Sequence, residues 1–193
     1  MKDKKDITGI ILAGGQSSRM GTDKGLLHFK NKPFILYSIE ALTPLVNDII
    51  IVSNNPDYDI FNLNRVNDAI ENAGPLAGLY SGLLHSKTED NLVLSCDVPL
   101  INSTVLNIIA DNLEDEFDVV QVESKGKSMP IIAAYKKRCM SKCLALLDDG
   151  ERRLRNAVKQ FKTKTIPLES DLHYCTMNIN TPNELETIKI INV

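Results

Sequence analysis

The sequence predicts a three-layer α/β fold, a mostly parallel sheet with helices on both faces. Runs rich in β-branched residues alternate along the chain with segments of helical period, the signature of βα units. Ile7 to Ala13 is a near-continuous apolar run, as expected of a strand covered on both faces. No repeat, low-complexity stretch or linker interrupts the alternation, so one domain is expected over residues 1–193, with residues 1–6 as a flexible tail.

Each element has its own signal. A loop rich in Gly, Ser and Lys follows the first strand, and Pro33 then opens a helix in which Ile35, Ile39, Leu42 and Val46 recur on one face. A strand is expected over 48–53, ending in the polar pair Asn54-Asn55. Gly74-Pro75 starts the next helix, with Pro at the first helical position and Leu76, Leu79, Tyr80 and Leu83 facing one way. A third strand, Leu92 to Cys96, runs directly into Asp97, and Asn102 or Ser103 caps a helix with Val105, Ile108, Ile109 and Leu113 as its apolar face. Residues 118–123 and 131–135 read as two strands around a Lys-Gly-Lys turn at 125–127. A helix over 137–148 stops at Asp148-Asp149-Gly150, and another carries Leu154, Val158 and Phe161 inward. Two short strands, near 163–167 and 173–177, precede a last helix. Thr181, Pro182 and Glu184 mark its start as a T-x-x-E capping box.

Composition narrows the function classes. Hydrophobic residues make up 43% and charged residues 24%, a balance that excludes disorder, collagen and a disulfide scaffold. Twenty-two Lys and Arg against 25 Asp and Glu leave a net charge of −3, without the basic excess that favours binding a phosphate polymer. No nucleic-acid partner is expected. The longest apolar runs, such as Ile49-Ile50-Ile51-Val52, fall far short of the roughly 20 residues that span a bilayer, so a soluble protein with no membrane partner is expected. MKDKKD followed by ITGIILAGG imitates a signal peptide only faintly: its apolar part is short, is broken by Thr8 and Gly9, and follows Asp3 and Asp6. Cys96, Cys139, Cys143 and Cys175 form no C-x-x-C pair and have no zinc-like spacing to His28, His85 or His173. Cys139 and Cys143 share a helical face with Leu147, which is a packing pattern, and reduced thiols in a cytoplasmic protein are expected.

Four segments carry candidate chemistry. The first is LAGGQSSRMGTDK at 12–24, directly after a strand, where an open α/β sheet places its ligand crevice. Gly14 and Gly15 let backbone N–H groups close on an anion, and Arg19 and Lys24 add charge. The spacing is neither that of a P-loop nor that of a dinucleotide fingerprint, and composition alone balances a phosphate cradle against an incidental surface loop. In the second, Asp68 to Gly78, Gly74-Pro75 presents a helix N-terminus suited to anions; taken alone, a plain turn before a helix explains it better. In the third, SCDVP at 95–99, Asp97 sits at the tip of a buried strand, where a lone carboxylate suits Mg²⁺; a simple turn former competes. The fourth is NINTP at 178–182, in which alternation puts Asn178 and Asn180 on one side; Asx-turn chemistry before a capped helix is the alternative. Arg152 and Arg153 form a basic corner after Gly150 that also reads as a solvated helix start. Combined, a phosphate cradle and a metal carboxylate at strand and helix ends point to nucleotide chemistry.

In this order the segments resemble the molybdenum cofactor guanylyltransferases, within the wider Rossmann-like nucleotidyltransferase fold. The resemblance runs from Ile7 to Leu185 and is most specific at LAGGQSSRMGTDKGLL (12–27), GPLAG (74–78), SCDVP (95–99), GERR (150–153) and NINTPNEL (178–185). It implies a nucleotide site at Leu12, Ala13, Gly14 and Gly15 for base and phosphates, Lys24 for phosphates, Asp68 for the nucleoside, and Asp97 for Mg²⁺. A polar residue of the stretch Ser53-Asn54-Asn55, with Asn54 preferred, completes the nucleotide contacts. Asn178 and Asn180 fall on the pterin side, and Arg152 and Arg153 are candidate substrate contacts. Met129 stands where the family pattern leads one to expect a polar residue.

The resemblance further implies transfer of GMP from Mg·GTP to the terminal phosphate of molybdopterin, with pyrophosphate released and Arg19, Lys24 and Asp97 as the catalytic set. It also implies transient contacts with other molybdenum cofactor biosynthesis or acceptor proteins. Two rivals stand beside it: a sister enzyme using CTP or another small phosphorylated acceptor, and a non-catalytic GTP-binding regulator. Glycine at both 14 and 15 favours guanine, because cytosine-using relatives tend to have Ala before the last Gly. Retention of Asp97 favours an enzyme over a sensor.

Overall fold

The computed structural model describes residues 6–14, 23–71 and 73–190. In chain order the strands are β1 (Ile7–Leu12), β2 (His28–Phe29), β3 (Lys32–Pro33), β4 (Asp48–Val52), β5 (Asn64–Val66), β6 (Asp90–Ser95), β7 (Val119–Ser124), β8 (Lys127–Lys136) and β9 (Thr163–Pro167). The helices are α1 (Phe34–Leu42), α2 (Gly74–His85), α3 (Ser103–Ala110), α4 (Cys139–Asp148), α5 (Leu154–Val158) and α6 (Pro182–Ile190). Seven strands make one sheet in the order β5-β4-β1-β6-β8-β7-β9, and β2 and β3 pair separately. Only β8 runs against its neighbours, antiparallel to both β6 and β7, while the β1–β4, β1–β6, β4–β5 and β7–β9 pairs are parallel.

Alternation along the strands divides the core into two layers. Ile7 and Ile11 of β1, Ile49 and Ile51 of β4, and Leu92 and Leu94 of β6 pack under α1 and α3, against Ile35, Leu42, Val105 and Ile109. Their neighbours Ile10, Leu12, Ile50, Val52 and Val93 face α2, α4 and α5, against Leu76, Leu79, Leu83, Cys143, Leu147 and Leu154. Both faces of the central strands are therefore buried, which is why β1 and β4 are continuous apolar runs. Each such side chain contributes about 1.5–3 kcal/mol by leaving water. Cys139 and Cys143 lie within the second layer as the helical-face pattern predicts, and all four thiols are buried and free.

Helix boundaries follow local chemistry. Asn102 caps α3 by accepting the Val105 N–H at 3.1 Å. Thr181 and Glu184 form the reciprocal box of α6: Thr181 Oγ1 accepts the Glu184 N–H at 3.3 Å, and Glu184 Oε2 accepts the Thr181 N–H at 2.9 Å. α1 ends at Leu42, and Val46 lies beyond it but stays buried. Phe161 is likewise buried beyond the end of α5.

The strand expected at 173–177 is instead part of a 3-10 helix, Ser170–Thr176. Leu172 and Cys175 recur at the three-residue spacing of that helix and pack into the core. The Thr176 hydroxyl donates back to the His173 carbonyl at 2.9 Å, closing a local bond where a strand would need a partner. Two further 3-10 segments, Lys24–Leu26 and Pro56–Phe61, and the β2–β3 hairpin were not anticipated from the sequence. Among the described residues no helix is long and apolar enough to cross a membrane.

Candidate active site

The parallel strands β1, β4 and β6 end on a common rim. Backbone bonds continue just past their ends, from Ala13 N–H to Val52 O (3.0 Å), Ser53 N–H to Val66 O (2.9 Å) and Cys96 N–H to Leu12 O (3.1 Å). The loops leaving the rim enclose a cleft of about 360 Å³ lined by Leu12, Ala13, Gly14, Asp23, Ser53, Asn54, Asn55, Asp68, Gly74, Pro75, Gly78 and Ser95. A crevice at the carboxyl ends of strands is where an open α/β sheet takes its ligand.

One wall of the cleft is polar and preset. Asn54 Oδ1 accepts the Asp68 N–H at 2.8 Å, tying the loop after β4 to the loop after β5. Asp68 Oδ1 is buried without a hydrogen-bond partner among the described residues, and burial pushes its carboxyl above the ordinary carboxylate value. Gly74 sits at φ +72°, and a Cβ there would lie 3.0 Å from the Arg152 carbonyl oxygen, so only glycine opens α2 at this place.

Another part of the lining is built on Asp23, a residue that motif spacing did not single out. Its carboxylate accepts the Gly25 N–H (3.2 Å), the Asn55 side-chain N–H (3.2 Å) and the Tyr58 hydroxyl. Tyr58 is wholly buried, and burial pushes its phenol far up, so it stays a donor. Asp23 thus holds the start of the Lys24–Leu26 turn in place. Asn55 is committed to Asp23 and to the Asp57 N–H.

Lys24 projects from this turn. Its Nζ donates to Asn180 Oδ1 at 2.5 Å and stands 3.6 Å from Asp97 Oδ2. Asp97, 8% exposed, has a buried Oδ1 with no hydrogen-bond partner among the described residues. The Asp97 carbonyl accepts the Ile179 N–H at 2.8 Å, so β6 and the segment before α6 are stitched together here. Among the described residues no three His, Cys, Asp or Glu side chains gather to hold a metal. A cation at Asp97 would complete its shell with water and ligand oxygens, the habit of Mg²⁺, and the unpartnered carboxylate oxygen fits that ion.

Asn178 belongs to a second cavity, where it joins Pro75, Lys127, Met129, Pro130, Ile131, Arg153 and Arg155. Its Oδ1 is buried and without a hydrogen-bond partner among the described residues. Pro75 and Ile131 line both cavities, so one apolar partition separates them. Met129 supplies apolar surface to the second cavity, in the place of the polar residue anticipated there.

The structure brings Leu12, Ala13, Gly14, Asn54 and Asp68 to the first cleft, and sets Lys24, Asp97 and Asn180 together where β6 meets the segment before α6. It separates the two arginines. Arg153 faces the second cavity, whereas Arg152 caps α4, donating through Nη1 to the Leu147 carbonyl at 2.7 Å. Glu151 steadies the corner by accepting the N–H groups of both Arg152 (2.9 Å) and Arg153 (2.8 Å). Gly15 and Arg19 lie outside the described residues.

A mostly parallel sheet that ends in a glycine-edged cleft, with a lysine paired to a carboxylate just past the end of β6, defines an enzyme of the nucleotidyltransferase class. The sequence profile of the MobA-like NTP transferase domain matches residues 9–164, and the chain belongs to that family. It is 37% identical over 179 residues to the molybdenum cofactor guanylyltransferase of Vibrio vulnificus, covering 91% of each chain. It is 32% identical over 184 residues to a probable molybdenum cofactor guanylyltransferase of Flavobacterium johnsoniae, covering 95% of this chain and 97% of that one. The crystal structure of molybdopterin-guanine dinucleotide biosynthesis protein A from Archaeoglobus fulgidus has the same fold, with a TM-score of 0.81 at 19% identity over 95% of this chain and 97% of that one.

Proposed function

We propose that this nucleotidyltransferase moves GMP from Mg·GTP to the terminal phosphate of molybdopterin, forming molybdopterin guanine dinucleotide and pyrophosphate. The observation that carries this reading is the pair of adjoining cavities that share Pro75 and Ile131. A transfer between two small molecules needs two seats with a short path between their reacting atoms. The names of the relatives in Vibrio vulnificus and Flavobacterium johnsoniae support GMP and the molybdenum cofactor as donor and acceptor.

In this reading Leu12, Ala13, Gly14 and Gly15 take base and phosphates, and Asn54 and Asp68 take the nucleoside. Arg19 and Lys24 neutralise the phosphates, and Asp97 holds Mg²⁺, which when bound supplies positive charge to the phosphate oxygens. An oxygen of the acceptor's own phosphate attacks the α-phosphorus of GTP. The new P–O bond forms as the bond to the β-phosphate oxygen breaks, and pyrophosphate leaves with that electron pair. No protein nucleophile is needed, and the chain's contribution is placement and charge. Arg153 and Asn178 stand on the acceptor side, in direct reach of the second cavity; the family resemblance assigns Arg152 and Asn180 to that side as well. The reading places the reaction in the cytoplasm, with transient contacts to other molybdenum cofactor biosynthesis or acceptor proteins.

Pyrophosphate release with molybdopterin and GTP, CTP or ATP tests it. Release confined to GTP is expected. Release with CTP alone makes the protein a cytidylyltransferase, and GTP binding without release makes it a regulator; either outcome overturns the proposal.

A further inference from the structure

The capping box of α6 does more than start a helix. One oxygen, Glu184 Oε2, accepts both the Thr181 N–H (2.9 Å) and the Asn180 N–H (2.7 Å). On the other side, the Ile179 N–H is fixed to the Asp97 carbonyl at 2.8 Å, and the Ile179 side chain is buried with Phe29, Phe34 and Ile188. Asn180 therefore sits in backbone held from both directions, with its side-chain carbonyl aimed at Lys24 Nζ, 2.5 Å away.

The same contact sets a distance. Lys24 Nζ stands 3.6 Å from Asp97 Oδ2, beyond the 2.7–2.9 Å of a closed charge-assisted bond. A lysine and a carboxylate on this rim attract each other, and the same lysine is also bound to the Asn180 amide oxygen and lies within the field of the Glu184 carboxylate. A closed pair would spend the lysine's charge on Asp97 and occupy Oδ2, leaving only Oδ1 for a cation.

We propose that Glu184 is a positioning residue: through Asn180 it holds Lys24 off Asp97, so that the lysine stays open to phosphate and the carboxylate to a divalent cation. The inference rests on the reading of Lys24 and Asp97 as phosphate and Mg²⁺ ligands. It moves Asn180 from the acceptor side to the phosphate side, while Asn178 stays in the second cavity.

The test is calorimetric titration of GTP at stepped Mg²⁺ concentrations, with thermal midpoints, on Glu184→Ala, Glu184→Gln and Asn180→Ala, each alone and combined with Lys24→Ala. Glu184→Ala and Asn180→Ala are expected to weaken GTP binding by roughly tenfold, the scale of a hydrogen bond to a charged group, and to raise the Mg²⁺ concentration needed for half-saturation. Glu184→Gln keeps the box and is expected to stay within about twofold of the parent. With Lys24→Ala in place there is nothing left to hold off, so neither change adds to its loss. A lower midpoint with unchanged GTP and Mg²⁺ titrations, or effects that add fully to those of Lys24→Ala, overturns the inference and leaves the box a stabilising cap. If Lys24→Ala itself binds GTP like the parent, the reading of the site fails as well. Should Glu184→Ala not fold, Asn180→Ala, which leaves the box intact, decides on the same criteria.

Discussion

Gly14 and Asp68 stand so close that a Cβ on Gly14 would lie 3.2 Å from the Asp68 carboxylate. That contact is tight but not a collision, so Gly14→Ala moves the carboxylate by a few tenths of an ångström rather than unfolding the rim. Asp68 contacts the nucleoside in the proposed site, and GTP affinity should fall about tenfold, the equivalent of about 1.4 kcal/mol. Calorimetry on the folded variant checks this, and an unchanged affinity would detach Asp68 from the nucleotide.

The raised pKa of Asp68 has a consequence for stability. Burial is its cause, so the folded state binds this proton more tightly than the unfolded chain does. Asp68 therefore opposes folding increasingly as pH rises from its unfolded value of about 3.8 through its higher folded value, and the full penalty is present at neutral pH. Asp68→Asn should raise the thermal midpoint at pH 7 by about a degree or two while weakening GTP binding. Melting curves across acid to neutral pH should show the gain shrinking towards acid; a gain of equal size at every pH would assign it to packing instead.

Asp97→Asn keeps the shape of the side chain and removes its charge. Transfer should drop about a hundredfold or more, the scale seen when a charge-stabilising group is lost, with the fold intact by circular dichroism. Near-parental turnover at saturating Mg²⁺ would remove Asp97 from the metal site.

Lys24→Ala should weaken GTP binding in a salt-dependent way, because a partly exposed point charge on phosphate is screened by ions. Guanosine, which has no phosphate, should bind both proteins alike. Parallel titrations at low and high salt separate the two ligands, and an equal loss for guanosine would mean that the lysine shapes the cleft rather than holding phosphate.

Asn178→Ala should weaken molybdopterin use by about 1–3 kcal/mol, the value of a partner lost to a buried polar group, and leave GTP binding near the parental value. The Asn178 Oδ1, without a hydrogen-bond partner among the described residues of the second cavity, motivates the expectation. A loss confined to GTP would place that cavity on the donor side.

Much of this architecture was legible because it depends on local pattern. The apolar run at Ile7–Leu12, the Lys-Gly-Lys turn between β7 and β8, the T-x-x-E box of α6 and the position of Asp97 just past a buried strand are all properties of adjacent residues. The antiparallel insertion of β8 between β6 and β7 is a choice among possible neighbours, and short-range periodicity says nothing about it. The 173–177 segment misled because Tyr, Cys and Thr suit a strand, whereas the Leu172 and Cys175 spacing suits a three-residue turn. In the site, alternation grouped Asn178 with Asn180, but the contacts that divide them, to the second cavity and to Lys24, come from distant parts of the chain. Asp23 escaped notice for the same reason, since its value lies in Asn55 and Tyr58, more than thirty residues away.

The bond between Lys24 and Asn180 joins residues 156 positions apart. Every strand of the sheet is complete by Pro167, so a chain emerging from the ribosome carries its glycine loop, Asp68 and Asp97 well before it carries the amide that restrains Lys24. Domains generally fold as units. In the proposed site Lys24 therefore gains its amide partner only when the segment around Ile179 has docked at the Asp97 carbonyl.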